Sequence, residues 1–159
     1  MTFLSNYSNR ELNIWANLAI NMGVAFYYFS KVWAMSGGLD ANMIDLARIV
    51  GKIIVFTIVI SIIVFGLINA RGEEKADERD YRFEAKANSI AYVTLIVGVV
   101  LVMSQLFLNE MGMAYWNIKN EHLLTLTPVV IGHLLLGALI LASSAKSLCQ
   151  MVLYRRDVV

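Results

Sequence analysis

Charged and apolar positions are segregated along this chain of 159 residues. Four stretches hold no Asp, Glu, Lys or Arg: Leu12–Ser30, Ile53–Ala70, Ala87–Asn109 and His122–Ala145, of 19, 18, 23 and 24 residues. A helix rising 1.5 Å per residue needs about 20 residues to cross a hydrocarbon core, so each stretch is long enough. The pattern predicts an all-α, integral membrane four-helix bundle. Helices are expected over roughly 10–35, 48–70, 76–109 and 123–154, with 71–86 a charged cytoplasmic extension of the third. The first is the least apolar, because it carries Asn13, Asn17 and Asn21.

Local signals support these limits. Ser8-Asn9-Arg10-Glu11 reads as a capping box, with Ser8 as N-cap and Glu11 reaching back. Thr127-Pro128 reads as an N-cap followed by proline at the first helical position, where a missing N–H costs nothing. Gly37-Gly38 breaks the chain between helices 1 and 2, and Tyr115 and Trp116 suit a membrane interface. A cleaved leader over the first stretch is not expected, since only Arg10 precedes it and no small-residue cleavage site follows.

Composition sharpens the class. The chain is 58% hydrophobic and 16% charged, against roughly 45–50% and about 25% for soluble domains. A soluble fold of this size cannot hide that much apolar surface. The same figures exclude a disordered chain, and Cys149 as the single cysteine excludes a disulfide scaffold. A net charge of +1 argues against a nucleic-acid partner. No phosphate loop, nucleophile elbow or zinc-protease signature occurs, so no catalytic residue, metal or cofactor is expected.

With four spans, the N-terminus, the 71–86 loop and the C-terminus share one side. That side carries nine of the 13 basic residues: Arg10, Arg71, Lys75, Arg79, Arg82, Lys86, Lys146, Arg155 and Arg156. The positive-inside rule places both termini in the cytoplasm, N-in and C-in. The two hairpins show faint likeness. Ala16-Asn17 matches Ala87-Asn88, and Ile49–Ile54 resembles Val130–Leu135. Two parallel αα-hairpin repeats are one reading, and chance likeness between apolar helices is the other.

Polar residues inside the spans are the candidates for chemistry. Asn13, Asn17 and Asn21 recur every fourth residue and share a helix face with Tyr28, while Asn88 and Tyr92 form a shorter stripe on helix 3. Both stripes are expected to meet in the bundle interior, bonding between helices or lining a solute path. His133 is the titratable group within a span, a candidate proton or gating residue beside the simpler reading of a neutral, hydrogen-bonded ring. His122 lies eleven residues before it, and no further ligand stands at a metal-like spacing. Gly132, Gly137, Ala138 and Ala142 mark a packing face, whose partner is expected to be helix 2 or helix 4 of a second copy.

The 71–86 stretch holds 11 of the chain's 25 charged residues in 16 positions. Wound as one helix, it puts Glu73, Asp77, Asp80 and Glu84 on one face, and Arg71, Lys75, Arg79, Arg82 and Lys86 on the other. Such a bipolar helix fits an anionic lipid surface or a protein partner, and equally a solvated helix end. Asp77-Glu78-Arg79-Asp80, followed by Glu84-Ala85-Lys86-Ala87-Asn88 and an apolar span, resembles the central motif of small prokaryotic four-span membrane proteins. The resemblance covers roughly 73–97. It implies a four-helix membrane protein without assigned activity, and a cytosolic protein partner, since some such proteins are encoded beside helix-turn-helix regulators.

Two functions are therefore expected to compete. One is a non-enzymatic, homo-oligomeric scaffold or regulatory partner working through its charged cytoplasmic helix. The other is a small oligomeric channel or transporter lined by the asparagine stripe.

Overall fold

A computed structural model describes residues 8–37, 39–72, 77–115 and 126–156, by backbone alone at 40 and 112–115. Glu73, Lys75, Trp116 and His122 lie outside the described residues. Within them the chain is all-helical: α1 (Asn9–Trp33), α2 (Met43–Asn69), α3 (Glu78–Tyr115) and α4 (Pro128–Arg156), with a single 3-10 turn at Asp40–Asn42. Three of these helices, α2, α3 and α4, are long and apolar enough to cross a membrane. α1 has the length, but its asparagines lower its apolarity.

The helix starts follow the local chemistry. Ser8 Oγ accepts from Glu11 N at 3.1 Å, and Glu11 Oε2 accepts from Ser8 N at 3.2 Å, closing the capping box of α1. Thr127 Oγ1 accepts from Val130 N at 3.3 Å, and Pro128 is the first residue of α4. α2 begins five residues before the expected position, with Asp45 and Arg48 paired at 2.8 Å across its exposed first turn. Gly37 and Gly72 adopt φ of 85° and 120°, which side chains disfavour, in the turns that follow α1 and α2.

Gly72 also corrects the reading of 71–86 as one helix. Arg71 and Gly72 form a turn after α2, and α3 starts only at Glu78. Asp77 caps it: Asp77 Oδ1 accepts from Asp80 N at 2.9 Å, and Asp80 Oδ2 accepts from Asp77 N at 3.0 Å. The second carboxylate is thereby drawn toward the protein, which breaks the expected division into one acidic and one basic face.

The helices form an open bundle in the packing order α2, α1, α4, α3. α3 and α4 pack most extensively, α1 sits against both α4 and α2, and α2 and α3 occupy the outer edges. Tyr28, Leu46 and Ile53 make a small core beneath Val129 and Leu136. The α3–α4 approach depends on two small residues, since a Cβ built on Gly98 falls 2.7 Å from Ala138 Cβ. The Ala138 packing partner is therefore α3 of the same chain, neither helix 2 nor a second α4. Gly137 faces Phe29 of α1, whereas Gly132 faces open space and is not a packing position.

Gly98→Leu is expected to force α3 from α4 and lower stability by about 1–3 kcal/mol, as overpacking does. Gly66→Ala adds a methyl that meets nothing within 4 Å, and should leave stability unchanged or raise it by about 0.5–1 kcal/mol. Unfolding both variants in mixed micelles checks this; equal midpoints would refute the close-approach argument.

Candidate functional site

Two constellations join the helices, one at each end. At the first, the α3 cap continues into a clasp across three helices. Arg10 of α1 lies 2.8 Å from Asp80 Oδ2, and the Tyr154 hydroxyl of α4 donates to Asp80 Oδ1 at 2.5 Å. Phe83 packs edge-on against Tyr154 with ring centroids 5.1 Å apart, and the Arg79 guanidinium lies 6.0 Å from the Phe83 ring. Nearby, Asn9 Nδ2 donates to Gly72 O at 2.7 Å, and Arg155 lies 5.8 Å from the Trp15 ring. The first residues of α1 therefore touch Gly72 after α2 and Asp80 at the start of α3, which in turn meets Tyr154 near the end of α4.

Asp80 and Tyr154 lie beyond the charge-free stretches, and the clasp fixes their protonation. Burial disfavours the Asp80 charge, but the Tyr154 hydroxyl, the Asp77 N–H and the Arg10 and Arg79 guanidinia outweigh it, so its pKa falls below the ordinary 3.8. Tyr154 is pushed up to about 12, first by burial and then by its hydrogen bond to Asp80. Neither residue offers a proton near neutral pH. The clasp is a lock rather than a relay.

The second constellation lies toward the opposite end. The Tyr28 hydroxyl sits 2.8 Å from His133 Nδ1, and the Phe29 ring packs edge-on to the imidazole with centroids 5.7 Å apart. Tyr28 is 1% exposed, and among the described residues His133 is its one hydrogen-bond partner; either the Tyr28 hydroxyl or the Nδ1–H donates, according to the imidazole tautomer. The other ring nitrogen, Nε2, has no partner among the described residues. Beside the pair, α2 and α4 diverge around an open slot of about 680 Å³.

The asparagine stripe divides between these roles. Asn21 Nδ2 donates to Ser143 Oγ of α4 at 2.8 Å, and Asn13 Oδ1 is buried with no hydrogen-bond partner among the described residues. Asn17 is exposed, as are Asn88 and Tyr92 on α3. The expectation that the two stripes meet inside fails, because α1 and α3 are separated by α4 in the packing order. The charged residues Asp77, Arg79, Arg82, Glu84 and Lys86 are exposed, and only Asp80 turns inward. Arg71 is exposed in its turn before α3.

Tyr154, Ser143 and the bonding role of Arg10 escaped the sequence reading. Tyr154 carries one usable signal, a hydroxyl among basic residues at the end of an apolar helix. Nothing local marks Ser143 as the partner of an asparagine 122 positions away. Among the described residues no three metal-ligating side chains converge.

Two outcomes test this geometry. Asn21→Ala and Ser143→Ala should each cost about 0.6–2 kcal/mol, and a double-mutant cycle should return coupling rather than additivity. For the clasp, the depressed Asp80 pKa stabilises the fold above pH 3.8, and that contribution disappears as acid titrates the carboxylate. The raised Tyr154 pKa stabilises it below pH 10.0, with loss as pH climbs to about 12. Asp80→Asn should flatten the acid limb and cost about 1.5–3 kcal/mol at neutral pH, read from unfolding midpoints across pH.

Compared with known proteins, the chain matches no family model, no curated protein and no solved structure.

Proposed function

We propose that this chain is a multi-pass protein of a prokaryotic cytoplasmic membrane, with both termini and the 71–86 segment in the cytoplasm. It acts without catalysis, as a homo-oligomeric scaffold or regulatory partner that engages a cytosolic protein through the first turns of α3. The observation that carries this reading is the clasp. By tying Asp80 to Arg10 and Tyr154, it anchors the start of α3 and leaves Glu78, Tyr81, Arg82, Glu84 and Lys86 exposed on a fixed helix.

Membrane insertion is supported by the outer helices. Ile62 and Leu67 of α2 and Leu101 of α3 are each more than 60% exposed, amid further bare apolar residues that no soluble monomer would present. Self-association is supported by Asn17, Asn88 and Tyr92, whose polar groups point outward from apolar stretches. In hydrocarbon such groups are costly, and a second copy supplies partners. The packing of α1 with α2 and of α3 with α4 fits the proposed hairpin duplication. The stripe bonds inward at Asn21 and Tyr28, which favours interhelical glue over a pore lining.

A photo-crosslinker at Tyr81 in native membranes should capture a discrete cytosolic protein, and Glu78→Lys with Glu84→Lys should abolish that product. An unchanged crosslinking pattern overturns the partner reading. An impermeant thiol reagent should label Arg82→Cys only after the cells are broken; labelling of intact cells overturns the orientation.

A further inference from the structure

Two apolar depressions on the α1–α2 hairpin share one lysine. A crevice of about 310 Å³ runs between the helices, lined by Gly23, Val24 and Tyr27 of α1 and by Lys52, Ile53 and Phe56 of α2. A more open groove of about 490 Å³ follows the outer flank of α2 along Gly51, Val55 and Val59, and is lined by the same Lys52 and Phe56. These two side chains, one helical turn apart, form the ridge between the depressions. Lys52 directly precedes the charge-free stretch of α2, and Lys31 directly follows that of α1. The helices are joined by a short connection at that end, so both lysines stand at one membrane boundary. Tyr27 links them: Lys31 Nζ lies 6.0 Å from the centre of its ring, and the ring lines the crevice with Lys52. Arg48, one turn nearer the helix start, is already paired with Asp45 at 2.8 Å.

Each part of this geometry selects a feature of the occupant. Two ammonium groups at headgroup depth attract an anion, and they disfavour a headgroup that brings a cation of its own. Two apolar depressions leading from one lysine toward the membrane interior suit two chains, whereas a single-chain anion fills one of them. We propose that this end of the hairpin binds an anionic diacyl phospholipid. Its phosphate lies between Lys31 and Lys52 and accepts from the Tyr27 hydroxyl, with one acyl chain in the crevice and the other along the α2 groove. Snorkelling of the lysines into water would satisfy their charge without choosing a lipid, and headgroup preference distinguishes the two. The lipid site goes beyond the scaffold role and rests on the membrane reading above, since acyl chains reach these depressions only from a bilayer.

The test uses the full chain in nanodiscs of equimolar dioleoylphosphatidylglycerol and dioleoylphosphatidylcholine, with the lipid retained on the released protein counted by native mass spectrometry. Phosphatidylglycerol should be preferred by about 5-fold for each lysine, or about 25-fold for both. Lys31→Gln and Lys52→Gln should each remove about 5-fold of that preference, and the double variant should retain the two lipids equally. Arg156→Gln removes the same charge from an exposed position at the other end of the molecule and should leave the preference intact. A Cβ added at Gly23 meets nothing within 4 Å, so Gly23→Leu fills the crevice without parting the helices. It should abolish the advantage of dioleoylphosphatidylglycerol over its single-chain lyso form that the native chain shows. Equal retention of the two headgroups by the native chain overturns the proposal. So does a loss in Arg156→Gln equal to that in Lys52→Gln, or a two-chain advantage unchanged in Gly23→Leu. Carbonate extraction separates the failures: a chain released from membranes loses the membrane reading, whereas a retained chain without headgroup preference loses only the lipid site.

Discussion

One carboxylate sets the geometry of one end of this protein. Asp80 closes the capping box that starts α3, and with its remaining capacity it receives Arg10 from α1 and Tyr154 from α4. A nearly buried carboxylate is costly unless donors surround it, and here they come from three helices. The starts of α1 and α3 and the end of α4 are brought to one level by that requirement. The bare residues of the first α3 turns owe their fixed orientation to the residue that is not bare.

The other polar contacts follow a shared logic. The Asn21–Ser143 and Tyr28–His133 contacts both run between α1 and α4, the two helices at the middle of the packing order. Away from the clasp, α3 also meets α4 through small residues, with Gly98 set against Ala138. Polar bonds thus specify which helices sit at the centre, and small residues set how near the flanks can come.

Much of this was legible in the chain. The charge-free stretches located all four helices, and the Ser8 and Thr127-Pro128 signals located two starts because capping acts within one turn. The packing partners were harder to read. Which helix meets Ala138 depends on a glycine 40 positions earlier, and periodicity alone cannot tell a face turned to a neighbour from one turned outward. Asn17 and Asn21 share a stripe, yet one is exposed and the other bonded. The 71–86 segment misled for a different reason. Counting angles assumed an unbroken helix, and Gly72 with the Asp77 cap interrupts it.

The edge position of α2 has a mechanical meaning. The helix is fastened along one flank, to α1, and meets α4 only where Leu46 and Ile53 share the Tyr28 core with Val129 and Leu136. Its far end is tied to α1 again just past its C-terminus, where Asn9 Nδ2 donates to Gly72 O. In a bilayer its outer flank would respond to lateral pressure and thickness rather than to internal packing. The spacing between α2 and α4 would then be set jointly by the protein and by the lipid around it, so that the surrounding membrane becomes part of the wall.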